Sequence, residues 1–209
     1  MSLATNWGYT LTGELTSLPD LITVEEYNTF TADKYSGDPR IESNIKAASQ
    51  SIRNYCGWHI YPSAECLMSE RLLYGDGRTK RVGSDLMIQL PAKFVTVIGS
   101  ISIDDVDCTD FVFDSNGIVH VFDTPKMNRK SVVVIEYTAG ISDALMNSIK
   151  ELTAHRVTHA LASSDGITSE AAGGVSVTYN ANWVNSARAS ALPNDNKEVL
   201  APYKVQGVY

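Results

Sequence analysis

The stretch EYTAGISDALMNSIKELTAHRVTH, residues 136–159, decides how the chain is organised. It begins with the end of an apolar strand, turns at Gly140 and continues into a long helix, whose predicted N-cap is Ser142 or Asp143. The residues predicted to lie along or near one face of this helix are Leu145, Ile149, Leu152, Arg156, His159 and Ala160.

Two helices are predicted upstream of this stretch. Thr23 and Glu26 have the spacing of a capping box and start the first helix. The second has Asp38 as its predicted N-cap and Pro39 in its first turn, continues through apolar residues at helical spacing, and ends at Gly57, which suits a left-handed C-cap. A final short helix is predicted near the C-terminus, capped by Asn194 or Asp195 and ending near Pro202.

Between the second and third helices the pattern changes to strands. From about Ser63 to Tyr137, short runs of β-branched and aromatic residues alternate with turn residues, which favours antiparallel pairing. Ser115-Asn116-Gly117 predicts a hairpin, and Gly75-Asp76-Gly77 predicts another turn. The segment VSVTYNANW, from Val175 to Trp183, predicts a last strand.

These patterns predict an α+β fold, in which about four helices from both ends of the chain form a small scaffold with an inserted antiparallel β region. The predicted divisions are a flexible segment at residues 1–19, a single domain at residues 20–205 and a tail at residues 206–209. Within the domain, residues 20–60 and 141–205 are the helical scaffold and residues 62–138 the β insertion.

Composition narrows the function classes. The 209 residues are 44% hydrophobic and 20% charged, which is ordinary for a globular protein, and no apolar run reaches the roughly 18 residues that span a bilayer. The net charge of −7 argues against tight general binding of nucleic acid. Three cysteines without close pairing (Cys56, Cys66 and Cys108) predict reduced thiols and synthesis in a cytoplasm.

His155 and His159 are one helical turn apart, so both could face one metal ion. The zinc-protease signature has this spacing but carries a glutamate directly after the first histidine, where this chain has Arg156. Catalytic zinc also needs a third protein ligand, which the sequence does not offer. A metal-dependent hydrolase using these two histidines is therefore the weaker interpretation, and the sequence predicts neither an enzyme nor a cofactor.

Charged loops are the remaining candidate functional sites. The acidic run from Asp104 to Asp110 lacks the glycine and the glutamate of a calcium loop, and it is predicted to be a hairpin turn exposed to solvent. Two basic clusters lie in predicted strand connections, and they are either solvated loop charge or contacts for a partner. Their candidate contact residues are Arg78, Lys80, Arg81, Lys126, Arg129 and Lys130.

Three motifs, in order, carry a family resemblance. The first is IESNIKAA in the second helix, the second is the strand end with Tyr137, Ala139 and Gly140, and the third is LAPYK, residues 200–204. Over roughly residues 20–205 the chain resembles the head-tail connector family of tailed bacteriophages, also called adaptor or head-completion proteins. The resemblance is to its longer members, which carry a β insertion.

The resemblance implies a structural virion protein and no catalysis. It implies a ring, usually a dodecamer, beneath the portal protein, which extends the channel for passing double-stranded DNA without sequence-specific binding and gives the tail its attachment surface. A head-closure or tail-completion subunit of the same machine is the alternative. The expected portal contact is the C-terminal end, with Tyr203, Lys204 and Tyr209 as its candidate residues. The expected location is the head-tail interface of the virion, after synthesis in the bacterial host cytoplasm.

Overall fold

The computed structural model describes residues 2–71, 78–128, 131–164, 169–172, 175–178 and 194–205. Contacts between Cα atoms divide the chain into two compact units. The first unit comprises Met1–Pro19, Gly57–Ser142 and Tyr203–Tyr209, and the second comprises Asp20–Cys56 and Asp143–Pro202.

The first unit is built from two antiparallel sheets. Its strands are β1 (Ser2–Ala4), β2 (Thr10–Thr12), β3 (Ala64–Arg71), β4 (Thr79–Val82), β5 (Asp85–Gln89), β6 (Val95–Ile103), β7 (Val106–Asp107), β8 (Phe111–Phe113), β9 (Ile118–Val121) and β10 (Val132–Ala139). A six-stranded sheet has the order β1-β2-β3-β10-β6-β7, and a four-stranded sheet has the order β4-β5-β9-β8. Every pairing in the two sheets is antiparallel.

Alternation along the strands gives each sheet a buried face. On β10, Val133, Ile135 and Tyr137 are buried, while the residues between them are exposed or half-buried. Because β10 pairs with β3 on one side and β6 on the other, its buried residues form the centre of the six-stranded sheet. The sheet core is thus assembled from strands that are far apart in the sequence.

The second unit is mainly helical. Its helices are α1 (Val24–Phe30), α2 (Ile41–Cys56), α3 (Asn147–Ser164) and α4 (Asn194–Leu200), together with a 3-10 turn at Asp143–Leu145. A further 3-10 turn, Ala201–Tyr203, follows α4. A buried cluster joins α1, α2 and α3, and its members are Ile22, Tyr27, Ile41, Ile45, Ala48, Ala154, Val157 and Leu161. A separate two-stranded ribbon pairs β11 (Ser169–Ala172) with β12 (Val175–Thr178).

The predicted fold class is wrong. The chain is not a helical scaffold with an inserted β region, because two antiparallel sheets form a unit of their own. The sheet begins before the first helix, since β1 and β2 precede α1 and the side chain of Leu11 is fully buried. Strands β1 and β2 have three residues each, and no Asn-Gly turn lies between them as it does between β8 and β9, so the prediction placed no strand in the first 19 residues. The division at residues 19/20 and 205/206 stays a prediction.

Several local predictions are confirmed. Thr23 and Glu26 form a capping box, and Gly57 follows α2 with a φ of 79°. Phe111–Phe113 and Ile118–Val121 pair as the predicted hairpin. The acidic run forms the β6–β7 hairpin, in which Asp104 and Asp105 both have positive φ. The turn at residues 75–77 and part of VSVTYNANW, residues 179–183, lie outside the described residues.

The third helix starts later than predicted. Residues Asp143–Leu145 form a 3-10 turn, and α3 begins at Asn147. Leu145 lies in this turn and is 56% exposed, so its predicted place on one face of the helix is wrong. The buried face of α3 passes instead through Ile149, Thr153, Val157 and Leu161, a spacing of four residues.

Candidate interaction surfaces

An aromatic cluster connects the strand ends of the first unit. We call it the aromatic junction, and it consists of Tyr9, Trp58, His59, Phe94, Tyr137 and Tyr203. The ring of Tyr9 lies 5.8 Å from that of His59, and Trp58 lies 6.1 Å from Phe94. These contacts link residues from the start, middle and end of the sequence, so the junction holds together segments that local pattern does not connect.

His59 is fully buried at the centre of the junction and each of its ring nitrogens has a partner. Nε2 lies 3.0 Å from the Pro62 carbonyl and 3.1 Å from the Ala139 carbonyl, both of which can only accept. Nε2 therefore carries a proton, and Nδ1 lies 2.7 Å from the Tyr9 hydroxyl. The same hydroxyl accepts the backbone N–H of His59 at 3.0 Å. Through these hydrogen bonds the imidazole links the backbone at Pro62 to the end of β10 at Ala139.

Gly140 is held where any side chain would collide with the backbone. Its φ is 140°, and an added Cβ would lie 2.4 Å from the Ser63 Cα and 2.5 Å from the Pro62 carbonyl oxygen. Next to it, the N–H of Ile141 donates to the Ile60 carbonyl at 2.8 Å. The strand end that contributes to the family resemblance is therefore the place where β10 crosses the segment after α2.

The junction also anchors the C-terminal end of the described chain. Trp58 is fully buried and its Nε1–H donates to the Tyr203 carbonyl at 2.6 Å. The Tyr203 ring stacks on Phe94 with centroids 5.7 Å apart. Lys204, the next residue, is exposed, while Tyr209 lies outside the described residues. Tyr203 thus contacts its own chain, and the end beyond it leaves from a fixed point.

Two of the six predicted basic residues, Lys80 and Arg81, lie on β4, so the prediction that they belong to a strand connection is wrong. Lys80 and Arg81 are exposed on β4, whereas Arg78, just before it, is half-buried and its Nη1 donates to Glu70 at 3.3 Å. Lys126 is exposed in the segment after β9. The Thr124 N–H donates to the Ser84 carbonyl at 3.1 Å, which holds that segment beside the turn after β4. Arg129 and Lys130 lie outside the described residues.

His155 and His159 both lie on the exposed side of α3. Burial by neighbouring side chains lowers the pKa of His159, and nearby His155 and Arg156 lower it further. Arg156, half-buried between them, donates from Nη2 to the Ser51 hydroxyl at 3.2 Å. Within the described parts of the chain, no three His, Cys, Asp or Glu residues lie close enough together to hold a metal ion.

The thiols give no sign of activation. Burial raises the pKa of Cys66 to about 12, so its sulfur stays protonated at neutral pH. Burial also raises the pKa of Cys108, and the neighbouring Asp107 adds to the effect. Cys56 is buried as well. A thiol held in its neutral form is a poor nucleophile, so these cysteines act as small buried or half-buried side chains.

The sequence analysis missed most of the aromatic junction. Trp58 and His59 follow Gly57 directly, and nothing in their spacing shows that they meet Tyr9 or Phe94. The one available signal was the Ala139-Gly140 strand end, which was noticed only as a family motif. An anchored chain end and exposed charged strand edges are features through which proteins bind other proteins.

Comparison with known proteins identifies the family. A family model described as head completion protein matches residues 20–205, so the chain belongs to the head completion protein family. It is a structural component of a bacteriophage virion and takes part in completing the head, in contact with other head or tail proteins. No curated protein matches the chain. None of the helices in the described residues is long and apolar enough to cross a bilayer.

Proposed function

We propose that this head completion protein is a head-tail connector, or adaptor, subunit. Copies form a ring beneath the portal, usually a dodecamer in proteins that it resembles, which extends the DNA channel and offers the tail its attachment surface. The observation that carries the proposal is the family match over residues 20–205. The ring is assembled from chains made in the host cytoplasm, and the subunit has no catalytic role and no cofactor.

The net charge of −7 supports a channel that DNA passes without capture. Phosphates are not attracted to a wall of their own sign, so the DNA slides rather than binds. In the proposed ring the exposed cations Lys80, Arg81 and Lys126 face acidic protein surfaces, as do Arg129 and Lys130. Arg78 also contacts such a surface, while its Nη1 keeps the hydrogen bond to Glu70.

The anchored C-terminal end supports a portal contact beyond Tyr203. Trp58 and Phe94 hold Tyr203 in place, and Lys204 follows directly after this packed residue. A peptide whose first residue is already held in place loses less conformational entropy on binding than one whose attachment point must also be ordered. Lys204 and Tyr209 are the proposed contacts, and Tyr203 sets the direction of the tail.

The test is portal binding by two tail variants. Deleting residues 204–209 keeps the Tyr203 anchor, so the variant is expected to fold normally and to lose affinity for the portal of the same virus at least about tenfold. Replacing the same six residues with glycine and serine keeps the length and removes the side chains, and it should lose the same affinity. Unchanged portal binding by both variants would contradict the tail contact, and binding to tail proteins alone would favour a head-closure or tail-completion subunit.

A further inference from the structure

The four-stranded sheet has a basic outer strand, β4, and an uncharged outer strand, β8, which lies between Asp110 and Asp114. Within the described residues β4 lies at one edge and β8 at the other. All three pairings in this sheet are antiparallel, so β4 and β8 point in opposite directions. A second sheet laid alongside in the same orientation would therefore bring β8 of one copy antiparallel to β4 of the next.

The edge at β8 continues an exposed acidic segment, Asp104–Asp114, which we call the acidic ribbon. Each of its residues is exposed or half-buried, and it contains no lysine or arginine. Its acidic residues are Asp104, Asp105, Asp107, Asp110 and Asp114. It also exposes large apolar side chains: Val106 at 52%, Val112 at 55% and Phe113 at 40%. Apolar groups set among charges of one sign are typical of a surface that binds a partner.

The backbone of β8 also points hydrogen-bonding groups away from its own sheet. The Phe122 N–H donates to the Asp110 carbonyl and the Asp114 N–H donates to the Ile118 carbonyl, each at 3.0 Å. In an antiparallel pair hydrogen-bonded positions alternate, so Phe111 and Phe113 direct their N–H and C=O groups outward. Such an edge can accept another strand.

The edge at β4, which we call the basic edge, is Lys80, Arg81 and Val82. All three are exposed, Val82 at 54%. The acidic residues at the turn that follows are engaged within the sheet. The Ser84 hydroxyl donates to Asp85 at 3.2 Å and to Asp123 at 3.3 Å. The exposed side chains of β4 are thus cationic and apolar, and Arg81 also donates from Nε to the Gly83 carbonyl at 3.0 Å.

We infer that the acidic ribbon of one copy binds the basic edge of the next. The two surfaces differ and lie at opposite edges of one sheet, so the contact is heterologous, and repeating it generates a closed ring when the rotation allows. This inference rests on the proposed ring and names the surfaces that build it. Opposite charge selects the correct pairing, and the exposed valines and Phe113 supply the apolar area.

Three charge-reversed proteins test the contact, with sedimentation at low ionic strength as the measurement. The first, K80E/R81E, makes both edges acidic. The second, D105K/D107K/D110K, leaves two aspartates beside three new lysines, so both edges become basic, and the third combines all five changes. Asp104 and Asp114 are left intact because their carboxylates accept the Val132 N–H at 2.8 Å and the Ile118 N–H at 2.9 Å. The control is E14K/E65K/E151K, which changes the net charge as much as D105K/D107K/D110K does, at exposed positions outside both edges.

The variants K80E/R81E and D105K/D107K/D110K, each alone, should self-associate about tenfold or more weakly than the wild type, because like charges then face each other. An equimolar mixture of the two, and the variant with all five changes, should regain most of the association, and the control should keep it. Equal sedimentation of all these proteins, including the case in which all are monomers, would overturn the inference. If the wild-type protein associates through these edges but does not bind the portal, the connector role is contradicted and the inferred contact between copies is not.

Discussion

At the scale of single residues, the structure around the aromatic junction depends on His59 and Gly140, which few other residues could replace without loss of stability. His59 is buried with hydrogen bonds to both ring nitrogens, and Gly140 lies against the backbone of the segment after α2. The sequence marks Gly140 as the end of a strand. It does not show the reason, because the atoms that exclude a side chain belong to Pro62 and Ser63, almost eighty positions away.

Replacing Gly140 with alanine should destabilise the protein strongly. The new Cβ would sit 2.4 Å from the Ser63 Cα, and the φ of 140° is strained for any L residue. We expect a loss of about 2–4 kcal/mol in the free energy of unfolding, measured by urea denaturation. Gly99→Ala is the control, because its Cβ would meet nothing nearer than 3.5 Å. Equal effects of the two changes would refute this account of the strand crossing.

Tyr9→Phe should cost about 1–3 kcal/mol, because it removes only the hydroxyl that pairs with Nδ1 and the backbone N–H of buried His59. The measurement is again urea denaturation. Tyr35→Phe is the matched change at a half-buried ring on the helical unit, where we expect less than about 0.5 kcal/mol. A Tyr9→Phe protein as stable as the wild type would show that His59 does not need this partner.

At the scale of elements, helices and long strands were predictable, whereas a short strand was predictable only where a turn signal marked it, as Asn116-Gly117 marks β8. The capping box at Thr23 and the apolar stripe of α2 are local signals that suffice to place a helix. Strands β1, β2 and β7 have two or three residues each, and they are strands only because longer neighbours pair with them. Leu145 was misplaced because the chain makes a 3-10 turn before α3, which shifts the helical phase.

Truncating the buried face of α3 tests its corrected phase. Leu161 lies in the cluster shared by α1, α2 and α3, so Leu161→Ala should destabilise by about 2–5 kcal/mol through lost burial and the cavity left behind. Leu145→Ala, at the 56% exposed position, should change stability by less than about 0.5 kcal/mol. Thermal or denaturant unfolding measures the loss of stability in each variant. A larger loss from Leu145→Ala than from Leu161→Ala would contradict this assignment of the buried face of α3.

The ion pair between α1 and α3 predicts a pH dependence. Partial burial opposes the charge on Glu26, but hydrogen bonds from Lys150 and from the Thr23 amide outweigh it, so the pKa of Glu26 is lowered from its usual 4.5. A carboxylate with a lowered folded pKa stabilises the protein above its unfolded pKa, and the contribution is lost as pH falls through the folded value.

Glu26→Gln should therefore be less stable than the wild type at pH 7, and the difference should shrink as the pH falls below 4.5. Glutamine still accepts hydrogen bonds at the helix cap, so the change reports mainly the charge facing Lys150. Glu25→Gln, at the exposed neighbouring position, is the control. Stability curves measured from pH 3 to 7 check this, and a gap that stayed constant over the range would contradict it.

At the scale of the whole molecule, local patterns could not give the arrangement of strands. β10 pairs with β3 across 61 to 75 positions, and β2 pairs with β3 across both α1 and α2. Nothing in one sequence fixes such pairings, so the strands were read as an insertion when they form their own unit. Family membership, by contrast, was carried by ordered motifs and is confirmed over residues 20–205. The contact surfaces remain predictions, because their partners are other chains.

The most direct test of the connector role is to mix the wild-type protein with purified portal rings of the same virus and image the product by electron microscopy. The account predicts a second ring of this protein stacked on one face of the portal, coaxial with its channel. No added ring at protein concentrations well above those in an infected cell, or a ring formed only on tail-tube protein, would contradict it.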